Sequence, residues 1–423
     1  MKRRIYFVVA VVGLAILAFK LQSFVGTKKA EAQAPPEVAV VEPEYNPVVE
    51  IENTLAHFDS LLEQNLKESG TVGAAAVITY KGKIALLKCF GVRKAGEKNP
   101  VNENTVFRLA SVSKSVTGVL AGILDEENVV KLDDRIIDYL PYFKLKNEEY
   151  TNQLTVRHLL SHTSGLVPHA YDLMVEDKVP LEKIIERLKD VDPSAPPGQV
   201  YGYQNVLYSI YDPVTKAKTH KSFESIIKEK VFEPFGMTDA SVNFEAFKNN
   251  INKAYPHYNR GHNRYSPMKL NDRYYLTAPA AGVNASISDL GNFLCTLTDD
   301  NSELFDTKAR QTVFTPQVNS PLGRTYFRSW GRDVKSKRYS IGWRIVDYKG
   351  REVAYHAGYV LGYKAEIALC DEEDIGIAIL SNSPNSATAK NIPTFLNMLF
   401  DYKDSMAQKE KEDNENNSPQ NKS

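Results

Sequence analysis

Cysteine is scarce: the 423 residues hold three, Cys89, Cys295 and Cys370, too scattered for a disulfide framework or a CxxC metal site. Cys89 and Cys370 fall within apolar, strand-like runs, which reads as buried structural thiols. There is also no excess of charge. Lys+Arg and Asp+Glu both number 52, so the formal net charge is zero and no basic footprint points to nucleic acid. No internal repeat is found. His158 and His162 have the i, i+4 spacing of helical metal ligands, but H-L-L-S-H lacks the glutamate of the HExxH pattern and reads as structural. What is present is 43% apolar and 25% charged residues, enough for one large packed domain or two smaller ones.

The chain opens on Met1-Lys2-Arg3-Arg4 and an apolar run over residues 5–19, closed by Lys20. This reads as a signal peptide or membrane anchor over residues 1–26, with the anchor favoured because the small-residue sites at Ala30 to Ala34 sit far beyond Phe19. The positive-inside rule would then put everything after it in the periplasm or outside the cell, possession of an inner-membrane anchor included. Residues 27–48, rich in Pro, Val and Glu, read as a linker, and residues 404–423, without an aromatic residue, as a disordered tail. The folded unit is expected over residues 49–403.

Strand signals concentrate at both ends of that unit. "TVGAAAVITY" and "KIALLKCFGV" flank Lys81-Gly82 as a hairpin, after an amphipathic helix at residues 53–67. Near the end, "YSIGWRIVDY", "REVAYHAG", "GYKAEIALC" and "IGIAILSNS" give four more strands, the first two joined at Lys349-Gly350, and a helix closes at residues 387–402. The middle is helical or irregular, with helices expected at residues 112–125, 156–161, 181–188 and 223–235. The simplest assembly is one antiparallel sheet built from both chain ends, flanked by the terminal helices, with the middle inserted as a helical subdomain and a site at the junction.

Three patterns could carry chemistry there. Ser111 and Lys114 form S-x-x-K, whose i, i+3 spacing sets a hydroxyl and an amine on one face of a helix start. A serine is inert at neutral pH until a base removes its proton, and a half-buried lysine has its pKa lowered towards that task. Ser113 and Ser115 lack this geometry. Tyr203-Gln204-Asn205 adds a phenol that can share a proton and an amide that can hold a carbonyl. His356-Ala357-Gly358 lies on an expected strand, where glycine lets a substrate backbone come close. Each pattern alone is common; together and in this order they are much stronger. The Tyr- and Arg-rich stretch at residues 255–275 reads as a cleft-rim loop.

With "FRLASVSK", "LTVRHLLSHTSGL", "PPGQVYGYQN", "VFEPFGMTDA", "PAAGVNASISDLGNFL" and "YHAGYVLGYKAEIAL" in succession, residues 52–399 resemble a class C β-lactamase-related serine hydrolase. The resemblance implies an α+β (α/β) β-lactamase/transpeptidase-like fold. It further implies Ser111 as acylated nucleophile, Lys114 as its activating partner, Tyr203 as proton relay, and Asn205 as substrate-orienting residue. Substrate contacts are expected from His356 and Gly358, and an oxyanion hole from the N–H groups of Ser111 and Tyr359. No metal or organic cofactor belongs to this chemistry. The expected partner is a small-molecule or peptidoglycan-derived substrate bearing an amide or ester.

The chain departs from class C β-lactamases at the third pattern, where they carry Lys-Thr-Gly. Ala357 removes the hydroxyl, and a lost hydrogen bond to a charged group costs on the order of 1.5 to 3 kcal/mol. His356 can donate one bond and titrates near neutrality. That ranks peptidases and esterases ahead of a true β-lactamase, with a catalytically silent binding protein of the same fold as the remaining reading.

Overall fold

The computed structural model describes residues 47–321 and 326–416. The expected signal peptide or anchor, residues 1–26, and all but the end of the expected linker lie outside them. Among the described residues no helix is long and apolar enough to cross a membrane.

Eight strands form one antiparallel sheet: β1 (Gly73–Tyr80), β2 (Lys83–Gly91), β3 (Val318–Asn319), β4 (Val334–Tyr339), β5 (Arg344–Tyr348), β6 (Arg351–Val360), β7 (Tyr363–Cys370) and β8 (Ile375–Ser381). Their order is β2-β1-β8-β7-β6-β5-β4-β3, so β1, from the start of the fold, pairs with β8, from its end. The two groups of strands expected from the sequence thus meet in a single sheet. β1 and β8 are buried along their whole length, which is why they read as continuous apolar runs rather than alternating ones.

Both faces of the sheet are covered. On one, α1 (Glu52–Glu68) and the closing helix pack together, with Phe58 and Phe395 in ring contact at 5.1 Å and Asn65 donating to Asn391 at 2.9 Å. On the other lie α2 (Ser113–Glu126), α3 (Ile287–Leu297) and the inserted helical region. α2 is apolar nearly all round and buried from Ser113 to Gly122, as a helix at the centre of a core must be. Each fully buried Val or Leu along it stabilises the fold by roughly 1.5–3 kcal/mol. Gly118 admits the chain to its closest neighbour, since a Cβ there would stand 2.2 Å from the Ile341 carbonyl oxygen. Cys89, Cys295 and Cys370 are free thiols; burial pushes the first two up to about 11.

The closing helix, α4 (Ser386–Asn416), runs thirteen residues into the stretch expected to be disordered. The composition there is polar, which suggested disorder, yet residues 404–416 hold no Pro or Gly and mix three Glu and two Lys with single Met, Ala and Gln, all good helix formers. A helix already nucleated by packing extends cheaply through such residues. Asp401 and Asp404 also tie it to the sheet, accepting from Lys349 and Arg351 at 2.8 Å. Residues 417–423 lie outside the described residues.

Candidate functional site

The first turn of α2 is preceded by a 3-10 turn, Ala110–Val112, that presses against β6 and β7. Ala110 has φ 48°, a strained value for a residue with a Cβ, and strain of this kind collects where a neighbour must be aimed. Ser111 follows it at the wall of a cleft of about 550 Å³ between the sheet and the helical region, where Tyr203, Asn205, Ala357 and Tyr359 also stand. Gly358 makes the approach possible. A Cβ on it would lie 2.3 Å from the Leu109 oxygen and 2.8 Å from the Ser111 nitrogen, both backbone atoms. Gly358→Ala is therefore expected to lower the rate of Ser111 acylation by about 10- to 100-fold and the melting temperature with it, given about 1–3 kcal/mol for overpacking. A wild-type acylation rate in that variant would show that the strand does not set the serine's position.

Lys114, the second residue of α2, is fully buried. Its Nζ lies 3.5 Å from Ser111 Oγ, 2.8 Å from Asn205 Oδ1 and 2.9 Å from the Ala280 carbonyl oxygen. Desolvation holds its amine well below the ordinary lysine value of 10.5, the Asp172 charge opposes that, and the Arg344 charge adds to it. Tyr203 Oη donates to Ser111 Oγ at 2.9 Å, and burial raises the phenol so that it stays protonated. Ser111 Oγ thus has on one side an amine whose charged form burial disfavours and on the other a phenol O–H. An amine must be neutral to accept a proton, so acylation should be present above Lys114's lowered pKa and lost as pH falls through it. A pH profile of acylation by an activated ester checks this; a limb at the ordinary lysine value near 10.5 would exclude Lys114 as the base.

The other two serines of the stretch have different work. Ser113 Oγ accepts from the Val283 N–H at 2.9 Å, and Ser115 Oγ donates to the Gly342 oxygen at 3.2 Å; both are buried. His158 Nδ1 accepts from the Thr155 N–H at 3.1 Å, capping its own helix. His162 Nδ1 accepts from the Gln204 N–H at 3.2 Å, its ring 4.3 Å from that of Tyr203, so it braces the Tyr203 segment from below. Of the aromatic stretch at residues 255–275, Arg273 and Tyr274 reach the cleft.

His356 stands differently from the expectation. It is fully buried, its Nδ1 bonds the Ala357 oxygen at 3.0 Å, and its Nε2 accepts from Arg344 Nη1 at 2.9 Å. Desolvation, then the Arg344 charge, hold it well below 6.5 and neutral. It carries Arg344 rather than substrate. Arg344, the first residue of β5, is what lines the cleft; sequence reasoning missed it because the two meet only through the strand pairing that sets Arg344 opposite Tyr355. It is 5% exposed, its Nε has no partner, and among the described residues no carboxylate pairs with it. The rings of Tyr326, Tyr203 and Tyr339 surround it at 4.6, 5.4 and 5.5 Å. Such faces ease a desolvated cation but leave it short of an anion.

Beside Arg344, β6 is open: β5 pairs with it from Arg351 to Tyr355 and stops, leaving the edge at residues 356–360 facing the cleft. Asn205 donates through Nδ2 to Asp172 Oδ2 at 3.0 Å, a contact the sequence did not suggest. A larger groove of about 660 Å³ elsewhere, with Asp300, Asp371, Glu372 and Arg310 in its walls, is lined by no serine, cysteine or lysine, and its arginine is already paired with Asp371.

Comparison with known proteins bears on the chain as a whole. The family model described as Beta-lactamase matches residues 58–396. Protein flp of Staphylococcus aureus (strain MRSA252) is 23% identical over 355 residues, covering 82% of this chain and 66% of its own length. Beta-lactamase-like protein 2 of Dictyostelium discoideum is 25% identical over 336 residues, covering 76% and 58%. The chain therefore spans less than two thirds of the length of these curated relatives. The solved octameric penicillin-binding protein homologue from Pyrococcus abyssi shares the fold, with a TM-score of 0.68 at 22% identity over 81% of this chain and 77% of that one.

Proposed function

Because the chain belongs to the beta-lactamase family of serine hydrolases, we propose that it cleaves a small amide or ester through an acyl-enzyme on Ser111, and that the acyl donor carries a carboxylate. The observation behind this reading is the placing of Ser111 Oγ between Lys114 Nζ and Tyr203 Oη in a cleft with an arginine that pairs with no carboxylate among the described residues. In the forward step Ser111 Oγ attacks the carbonyl while its proton passes to Lys114. The C–N or C–O bond then breaks, and Tyr203 is placed to hand a proton to the leaving group and to recover one from Lys114. Water reverses the sequence and releases the acid. Gly358 closes on the Ser111 backbone nitrogen, and Ser111 and Tyr359 line the same cleft, which supports the assignment of their N–H groups as the oxyanion hole.

Arg344 supplies the cation that the His-Ala-Gly stretch lacks, so a D-amino-acid peptide with a free carboxylate ranks ahead of a neutral ester. β-Lactam hydrolysis is the second reading. It gains a carboxylate partner in Arg344, but Ala357 still offers no hydroxyl. The basic start and apolar run of residues 2–19 support a site of action in the cell envelope. The test is intact-mass measurement of the protein after exposure to acyl esters, D-Ala peptides and β-lactams, with peptide mapping and decay rates. An adduct on Ser111 from the carboxylate-bearing peptides is expected. Its absence with every member of the panel would overturn the reading.

A further inference from the structure

Lys114 can act as a base only if its lone pair, and not an N–H, is aimed at Ser111. A neutral amine has two hydrogens and one lone pair. The two oxygens nearest Nζ, Asn205 Oδ1 at 2.8 Å and the Ala280 carbonyl at 2.9 Å, take the two hydrogens, and the lone pair is left for Ser111 Oγ at 3.5 Å. The Ala280 carbonyl is main chain and cannot turn over. The Asn205 amide can, and turned over it would offer Lys114 an NH₂ group, which would take up the lone pair. Something must hold it.

That something stands on the far side of the amide. Asp172 Oδ2 lies 3.0 Å from Asn205 Nδ2 and 2.8 Å from His169 Nδ1. An ionised carboxylate only accepts, so it tolerates the NH₂ end of Asn205 and repels the oxygen end. Asp172 is delivered by a strained approach: His169 and Tyr171 have φ 61° and 63°, and Asp172 is the first residue of the short helix Asp172–Glu176. We propose that Asp172 is a positioning residue, which locks the Asn205 amide with its oxygen towards Lys114 and so aims the lysine's lone pair at Ser111. This rests on the acyl-enzyme reading of Ser111.

Charge gives the proposal a signature. Lys114 is faced by the rings of Tyr203 and Tyr208, by the charges of Asp172 and Arg344, and by His162 and His356, both of which burial holds neutral. Asp172 is faced by His169 and Asn205, with Tyr274 and its partner Glu176 beyond. Of the two charges on Lys114, Asp172 favours the ammonium, so removing it lowers the amine further.

Asp172→Asn keeps the shape but can present either a donor or an acceptor to Asn205. Acylation by an activated ester is expected to fall about 10- to 100-fold at its plateau, within the range of a mis-set general base, with the acid limb of the pH profile moved to lower pH. In an Asn205→Ala background the same change should cost little, because its effect passes through that amide. His169→Ala, at an exposed rim residue, should cause a smaller fall of a few-fold, and it carries the test if Asp172→Asn does not fold by circular dichroism. An unchanged plateau and limb in the folded variants, or an equal loss with and without Asn205, overturns the proposal. Fluorophosphonate labelling of Ser111→Ala is run alongside. If that variant is labelled, the acyl-enzyme reading itself fails; if it is unlabelled while Asp172→Asn acylates at the wild-type rate, only the role of Asp172 does.

Discussion

Ser111→Ala is expected to lose fluorophosphonate labelling entirely and turnover of any ester or D-amino-acid amide by on the order of 10⁶-fold, the scale seen when a nucleophile acting with its base is removed. The loss should be all or none in labelling because no other oxygen in the stretch can substitute. Ser113 and Ser115 are buried and already bonded to Val283 and Gly342, and α2 turns them away from Lys114 Nζ. Ser113→Ala and Ser115→Ala should accordingly stay labelled. Labelling that persists in Ser111→Ala, or that vanishes in Ser115→Ala alone, would place the nucleophile elsewhere.

Arg344→Gln should separate two classes of substrate. For acyl donors with a free carboxylate, kcat/KM is expected to fall about 10²- to 10⁴-fold, from roughly 1.5–3 kcal/mol for each charge-assisted hydrogen bond, two of which a guanidinium can offer. For neutral esters the fall should stay under about tenfold, since Ser111, Lys114 and Tyr203 do not bond Arg344. The physical ground is that a cation 5% exposed, with no acidic partner among the described residues, is stabilised when an anion enters. Equal losses for charged and neutral substrates would mean that Arg344 only supports the tyrosines around it.

Much of this was legible in the residues because it is local. Ser111 and Lys114 meet through helical spacing, the hairpin at Lys81-Gly82 through turn chemistry, and the terminal strands through apolar runs that only a doubly covered sheet explains. Tyr203 and Asn205 were legible through their order relative to that pair. What escaped depends on register between distant segments. His356 and Arg344 are twelve residues apart on different strands, and the sequence shows a titratable ring at one and an unremarked arginine in "GWRIV" at the other. Only their 2.9 Å contact reveals that the ring carries the guanidinium while the guanidinium faces the cleft. Asp172 escaped for the same reason, as its partner Asn205 lies 33 residues on. The polar end of α4 was misread because composition reports what a segment can bury, while its helix is inherited from the packed residues before it.

The two-residue turn at Lys349-Gly350 has a consequence of its own. It fixes which residue of β5 stands opposite Tyr355, and today that residue is Arg344. Side chains alternate along a strand, so a one-residue insertion in the turn that is taken up as a register slip would turn every β5 side chain to the other face and withdraw Arg344 from the cleft, roughly 13 Å from the edit. Ser111, Lys114 and Tyr203 belong to other segments and would be untouched. Insertions at an exposed hairpin tip are among the changes a lineage tolerates most readily. Ligand charge preference in this fold could then diverge by a length change at the periphery, with no substitution near the chemistry.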